Sequence, residues 1–303
     1  MDRNGHVRDP ATADAYAAAR MPATFAASAR AMDGAADRLP RLRPTTLLDV
    51  GAGTGAASWA ASAVWPSLTE LTLVDRAPAA IDLGRRLARG GPGPLAAARW
   101  LVADLEDDVA LRADLVVGAY VLGELPAVKA GDVVARLWAA TDRLLVLVEP
   151  GSRAGFGRIR AARAGLIAAG GRVAAPCPSD DTCPIQDPAW CHFLARLDRS
   201  PLQRRTKDAS RSWEDEPFSY VAVVRPAAVD ADPAARVVLG RPRHRPGVVE
   251  LRICDDGRIE RRTLSRRDGP AWRTARDLGW GDPVPPIVLD RRDDVTADDG
   301  RTE

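Results

Sequence analysis

Between residues 45 and 169 the chain alternates two hydrophobic textures. Short, nearly unbroken apolar runs occupy 45–50, 70–75, 98–103, 113–119 and 143–148, while at 55–64, 78–89, 128–140 and 153–169 the apolar positions recur every three or four residues. Runs of the first kind have the length of strands buried on both faces, and stretches of the second kind hide one stripe of a helix. Their alternation predicts an α/β fold with a parallel, doubly wound sheet. Right-handed crossovers then bring the carboxyl ends of the strands to one edge, where ligands bind. An alanine-rich stretch over 10–32 precedes the first strand, and Pro22 is expected to break it into two helices that could cover that edge.

The alternation stops at Gly170-Gly171. Residues up to about Trp190 are rich in Pro, Asp and Cys and read as an irregular insertion; a short helix is expected at 191–200, followed by a basic connector. Strand-like runs return at 218–225, 235–240, 247–254 and 258–264, with Asp256-Gly257 forming a hairpin turn between the last two, and a helical piece covers about 269–278. These late strands could complete the main sheet or form a separate small barrel. From Asp290 the chain is acidic and without hydrophobic periodicity, which predicts disorder. The expected division is an N-terminal helical segment (1–44), a Rossmann-like core (45–170), a Cys-containing insertion and basic connector (171–217), C-terminal strands and helix (218–289) and an acidic tail (290–303).

Composition alters this picture little, but charge does. No run approaches the roughly 18 apolar residues of a membrane-spanning helix, so no membrane association is expected. The first residues carry neither a secretory signal nor an Arg/Ser-rich transit peptide, which leaves the cytoplasm as the expected location. The net charge of +2 conceals an uneven spread: residues 1–150 sum to −2, 290–303 to −3 and 151–289 to +7. Almost all of that excess is arginine, whose planar fork binds phosphate bidentately, so nucleic acid is one candidate partner. Arginine placed on merely solvated faces is the alternative.

The chemistry begins at Leu47-Leu48-Asp49-Val50-Gly51-Ala52-Gly53-Thr54-Gly55, an apolar strand running into D-x-G-x-G-x-G. S-adenosylmethionine-dependent methyltransferases usually open in this way. Glycines let the backbone turn sharply and bring its amides against a ligand with no Cβ between. Gly51-x-Gly53-x-x-Ala56 also fits a dinucleotide loop, and Asp75 at the end of the second strand suits the ribose hydroxyls of either cofactor. Asp104, just past the third strand, resembles the acid that accepts from the adenine amine in methyltransferases, and Asp49 inside the first strand is common there too. With only Lys129 and Lys207 present, the chain has no Tyr-x3-Lys pair for hydride chemistry. S-adenosylmethionine is therefore preferred, held by Asp49, Gly51, Gly53, Gly55, Asp75, Asp104 and Tyr120.

The fourth strand ends in Tyr120-Val121-Leu122-Gly123-Glu124, where a methyl acceptor would sit, and it lacks the Asn/Asp-Pro-Pro-aromatic motif that holds an exocyclic base amine. Tyr120 and Glu124 could line the pocket or act as a weak base, or could serve packing and capping. Glu149-Pro150-Gly151 admits both an acceptor contact and a structural turn. No catalytic residue is assigned.

Three of the four cysteines, Cys177, Cys183 and Cys191, fall in the insertion, and Cys254 ends a late strand. The spacing is not the C-x2-C of a zinc ribbon. Two of the cysteines precede proline in turn-rich chain, as thiolates around iron–sulfur clusters often do. A four-iron cluster, zinc and unrelated thiols all remain open on spacing. Pro176-Cys177 superficially resembles the nucleophile of cytosine-C5 methyltransferases, but it lies a whole helix beyond the fifth strand, too late for that role.

Tyr16, Arg20, Met21 and Pro22, the glycine loop, Pro176-Cys177-Pro178, Trp190-Cys191-His192-Phe193, Glu214-Asp215-Glu216-Pro217-Phe218-Ser219-Tyr220 and Trp280-Gly281-Asp282 together resemble the methyltransferase-like assembly factors of the mitochondrial small ribosomal subunit and their bacterial homologues. The resemblance spans about residues 10–282, and the cysteines with their neighbours are its specific part. It implies an S-adenosylmethionine-type Rossmann core, a [4Fe–4S] cluster on Cys177, Cys183, Cys191 and Cys254, and binding to small-subunit ribosomal RNA or an assembly intermediate, with or without methyl transfer. On this reading Arg196, Arg199, Arg204, Arg205, Lys207 and Arg211 form a phosphate-contacting arm beside the cluster. A monomer is expected.

Overall fold

The computed structural model describes residues 9–104, 111–199, 204–205, 211–226 and 236–289, and the backbone of 296–297. Helix α1 (Pro10–Ala19) starts where Asp9 accepts from the Thr12 amide at 2.8 Å, and Pro10 supplies a first-turn residue that needs no N–H partner. The break to α2 (Met21–Arg38) comes at Arg20, so Pro22 begins the second helix instead of ending the first. Ala23, Ala27, Ala31 and Ala35 recur every fourth residue along α2 and are fully buried. That small-residue face lets α2 lie close against α3 (Ala56–Val64) and the main sheet.

The sheet contains β1 (Thr46–Val50), β2 (Glu70–Asp75), β3 (Arg99–Val102), β4 (Ala113–Ala119), β5 (Thr141–Pro150), β6 (Arg172–Ala175), β7 (Phe193–Asp198) and β8 (Trp213–Val224). Its order is β3-β2-β1-β4-β5-β8-β6, with β7 paired to the first half of β8. The first five strands are parallel, and β8 runs antiparallel between β5 and β6. An antiparallel strand at this place departs from the all-parallel six-stranded dinucleotide fold; it is the arrangement of S-adenosylmethionine methyltransferases. Helices α2 and α3 bury one face around Met32, Leu73, Leu115 and Val146; α4 (Pro78–Ala88) and the short α5 (Gly93–Ala96) lead from β2 to β3; α6 (Ala127–Ala139) and α7 (Arg153–Ala168) bury the other face around Val116, Leu137, Leu145 and Ile159.

A second, antiparallel sheet holds β9 (Val237–Arg245), β10 (Val248–Asp255) and β11 (Arg258–Ser265), with β12 (Thr296–Ala297) at its edge. Val249, Leu251 and Ile253 form one face of β10 and pack on α8 (Pro270–Ala275), Val284 and Val288. The late strands thus divide: β8 joins the main sheet, and β9 to β11 make their own, with Asp256-Gly257 turning β10 into β11. Between the two sheets Phe156, Ile185, Ala189, Leu239 and Ile259 form a small joint core flanked by Cys183, Cys191 and Cys254.

Two sequence expectations are corrected. The helix expected at 191–200 is replaced over the described residues, 191–199, by a strand: Phe193 and Ala195 alternate with more exposed neighbours and pair with Phe218 and Glu216 of β8. The stretch after Gly171 is not wholly irregular, because Arg172–Ala175 adds the edge strand β6 before the chain loses regular structure. The predicted acidic tail lies outside the described residues except at β12.

Candidate functional site

All three loop glycines have the left-handed backbone their motif predicts, with φ of 70° at Gly51, 54° at Gly53 and 87° at Gly55. Their surroundings differ. A Cβ on Gly51 would meet Val121 at 2.5 Å, and one on Gly55 would press on Trp100 and Leu73. A Cβ on Gly53 would meet nothing within 4 Å, which leaves open space beside the loop. The loop is tied to β2: the Gly51 and Ala52 amides donate to the Val74 carbonyl, and the Gly53 amide donates to Asp75 Oδ2 at 2.8 Å. Asp75 Oδ1 accepts from the Ala77 amide, also at 2.8 Å. Since a carboxylate has about four lone-pair sites, two remain for hydroxyl donors.

Asp49 is placed differently from a direct ligand. It is 1% exposed, and its Oδ2 accepts from Ser58 Oγ at 2.7 Å, locking β1 to α3 beneath the loop. Burial raises its pKa to about 6. Asp104 follows β3 at the same edge of the sheet, half-buried.

At the end of β4, Tyr120 has a φ of 60° and donates from its hydroxyl to Glu216 Oε1 at 3.3 Å. Arg20, at the α1–α2 junction, donates to the same oxygen at 3.0 Å. Burial, and then the nearby Glu216 carboxylate, push the Tyr120 phenol well above its ordinary range. Glu149 is fully buried; Oε1 accepts from the Leu122 amide at 2.9 Å and Oε2 from Arg158 at 2.6 Å. Glu124 lies 3.6 Å from Arg76. The polar groups at this edge are thus bonded to one another. Tyr16, mostly buried beside Arg20, places α1 over the same edge, and Arg86 of α4 (Pro78–Ala88) reaches Asp14 of α1 at 3.5 Å.

The four cysteines line one cavity, although three come from the insertion and Cys254 from β10. Its volume is about 50 Å³ by the positions a water centre can take, where one water needs ~10–15 Å³ on that measure. Among the described residues no three His, Cys, Asp or Glu side chains close on a point that one metal ion could occupy. Burial pushes the Cys177 thiol up to about 11 and Cys254 up to about 12, and Cys191 moves the same way. Arg163 of α7 lies beside Cys177, is only 7% exposed and donates from Nη2 to the Ser179 carbonyl at 2.6 Å. Its Nε is buried without a partner. Sequence reading passed over this residue; the available signal was an arginine on the apolar stripe of α7, among Phe156, Ile159, Ala162 and Leu166.

Of the expected arginine arm, Arg196, Arg199 and Arg211 meet where β7 pairs with the start of β8. Arg196 forms a two-pronged pair with Asp215 at 2.8 and 3.0 Å and lies 4.1 Å from the centre of the Trp213 ring. Arg199 is committed to Glu214 at 2.8 Å, and Arg211 lies over Trp213. The cause is the β7–β8 register, which sets Arg196 opposite Asp215 and Leu197 opposite Glu214. Arg204 and Arg205 are exposed, and Lys207 lies outside the described residues.

Strand order and glycine loop define an S-adenosylmethionine-methyltransferase-like protein. Within that class, residues 10–285 match the family described as mitochondrial small ribosomal subunit Rsm22, and the chain belongs to this family. It is 35% identical to human METTL17, a mitochondrial ribosome assembly protein, across 94% of this chain and 65% of the relative. It is 26% identical to the Rsm22-cox11 tandem protein 2, mitochondrial, of Schizosaccharomyces pombe across 79% of this chain and 38% of the relative. The chain therefore spans less than two thirds of these curated relatives. Among solved structures, magnesium protoporphyrin IX methyltransferase from Synechocystis with bound SAM is similar at 16% identity, a TM-score of 0.43 and coverage of 67% and 80%. A putative RNA methyltransferase from Pyrococcus horikoshii is similar at 14%, 0.44, and 65% and 81%. The expected cytoplasmic location is corrected by the curated relatives, which are mitochondrial proteins. The N-terminal sequence on which it rested was the wrong guide. No helix among the described residues is long and apolar enough to cross a membrane.

Proposed function

We propose that this chain is a small-subunit ribosome assembly factor that binds S-adenosylmethionine at the glycine loop and carries a [4Fe–4S] cluster on Cys177, Cys183, Cys191 and Cys254. The observation that supports the cluster is the donor set itself: four thiols line one cavity, with the buried Arg163 guanidinium among them. Arg163 would offset the negative charge of a thiolate-bound cluster and would give its orphaned Nε a sulfur to bond. When bound, the cluster supplies a covalent junction between insertion and C-terminal sheet that oxidation can break.

The cofactor pocket is read from the same edge. Open space at Gly53 leaves room for the ligand backbone approach, Asp75 offers lone pairs to ribose hydroxyls, and Asp104 stands beyond β3 for the adenine amine. Asp49 acts through Ser58, as a support. For methyl transfer the acceptor side offers little: Tyr120 donates to Glu216, Glu216 accepts from Arg20, and Glu149 is consumed by Leu122 and Arg158. A phenol whose pKa is raised keeps its proton at neutral pH and so has no phenolate to act as a base. The reading is therefore an RNA-binding factor that holds its cofactor without turnover.

Anaerobic purification with iron and sulfide analysis should give about four of each per chain, and labelled cofactor should bind without tritium passing to small-subunit precursor particles. A colourless zinc protein would overturn the cluster, and methylated ribosomal RNA would overturn the reading without turnover.

A further inference from the structure

The C-terminal sheet carries a second group of arginines, apart from those on β7 and β8. The residues of β10 that alternate with its buried Val249, Leu251 and Ile253 are Glu250, Arg252 and Cys254. Register places Arg252 directly opposite Arg261 of β11, and Glu250 opposite Arg243 of β9. One face of the sheet thus carries a stripe of arginines leading away from the fourth cysteine.

The face forms one wall of a cleft of about 770 Å³, within the ~300–1,000 Å³ range of ligand clefts. Arg241, Arg243, Arg252 and Arg261 line it against Glu250 as the one acidic lining residue described. Aromatic rings line the same cleft. Trp190 stacks on His192 at 5.7 Å between ring centres, and His192 meets Trp280 edge-on at 4.6 Å. The segment that carries Trp280 is held there by pairing to β9, through Gly281 to Val238 and Val238 to Asp282.

Cations and aromatic rings lining one cleft suit the two chemistries of an unpaired polynucleotide, its phosphates and its exposed bases. A duplex keeps its bases stacked inside and could not offer them to a recessed ring cluster. Resting on the reading of an RNA-binding assembly factor, we propose that this cleft binds a single-stranded segment of RNA, with Arg243, Arg252 and Arg261 on the phosphates and Trp280 and His192 facing the bases. Arg241 is shared with Asp215, at 3.2 Å, and fixes the rim next to β8.

The test uses the full chain, fluorescence anisotropy, and a labelled RNA of about 12 nucleotides, inside the ~4–16 range of single-strand sites. The protein should prefer the single strand to a duplex of the same length. Arg243→Gln with Arg261→Gln, both exposed and mild for folding, should weaken binding about tenfold and flatten the log–log salt dependence by about 1.4, for two lost contacts at ~0.7 each. Arg89→Gln with Arg99→Gln, the same charge change at the far edge of the main sheet, should leave affinity unchanged. Equal loss in both pairs, duplex preference, or displacement of the RNA by polyglutamate as readily as by unlabelled RNA would overturn the cleft. Intact small-subunit RNA separates this from the underlying reading: if wild type binds it and the Arg243/Arg261 variant binds equally well, the cleft alone is wrong. If wild type does not bind it, the assembly reading falls too.

Discussion

Asp49 shows how a motif residue can act from underneath. Inside the first strand of the glycine motif it looks like a ligand, yet its carboxylate is enclosed and spends its hydrogen bond on Ser58. Folding lifts its pKa from 3.8 to about 6, chiefly by burial. The folded protein therefore keeps a proton that the unfolded chain has already lost. Its contribution to stability is fully present below the unfolded value and is lost as pH rises through about 6. Asp49→Asn can accept the same bond without titrating. In urea unfolding, the variant should gain on wild type by about 1–2 kcal/mol between pH 5 and pH 8. A difference that does not change with pH would show that this carboxyl is not the titrating group. Gly53 is the contrasting case, because its need for glycine comes from positive φ alone, and the spacing of the motif made that legible.

At the scale of elements, Glu149 joins three pieces: the end of β5, the turn at Leu122–Glu124, and α7 through Arg158. Removing a buried, bonded carboxylate leaves an arginine and an amide without their acceptor. Glu149→Ala should cost about 3 kcal/mol in denaturant unfolding, and Glu149→Gln, which keeps an acceptor for Leu122, should cost less. Equal stability of all three proteins would restore the alternative, an acceptor-site contact. The elements themselves were readable in proportion to their length and periodicity. Strands β1, β2, β4 and β5 are continuous apolar runs, and no competing pattern exists for them. β6 has four residues, too few to show a period, and β7 was mistaken for a helix because Leu194 and Leu197 with charged neighbours mimic helical spacing. Pairing with β8 decides the matter, and pairing is invisible until the register is known. The same register consumed Arg196 and Arg199, whose partners Asp215 and Glu214 lie at least 15 residues away in sequence. The glycine loop was legible because it is local; that Cys254 lines one cavity with the other three cysteines was left open by their spacing, and the family resemblance favoured it.

Across the whole molecule, the two proposed cofactors hold different halves. S-adenosylmethionine would sit on the carboxyl edge formed by β1, β2 and β3, under α1. The cluster would sit between the insertion and the second sheet, where Cys254 is the single thiol contributed by β10. The joint core there is small, with five buried side chains flanked by the cysteines themselves. Such a junction leans on whatever links the thiols. Cys254→Ser should therefore lower the iron content and loosen the C-terminal sheet against the core, seen as faster hydrogen exchange in β9 to β11 and weaker binding of single-stranded RNA, even though every arginine of the cleft is retained. Its affinity for S-adenosylmethionine should stay near that of wild type, because no residue of the glycine loop touches this junction. Asp75→Ala should do the reverse, losing the cofactor while keeping iron and RNA. Iron analysis, calorimetry with S-adenosylmethionine and RNA anisotropy on the same two variants make the comparison complete. If Cys254→Ser loses S-adenosylmethionine as well, the two halves are coupled in a way that the separation of the sites forbids. If it keeps RNA affinity while losing iron, the cluster is not what orients the arginine face.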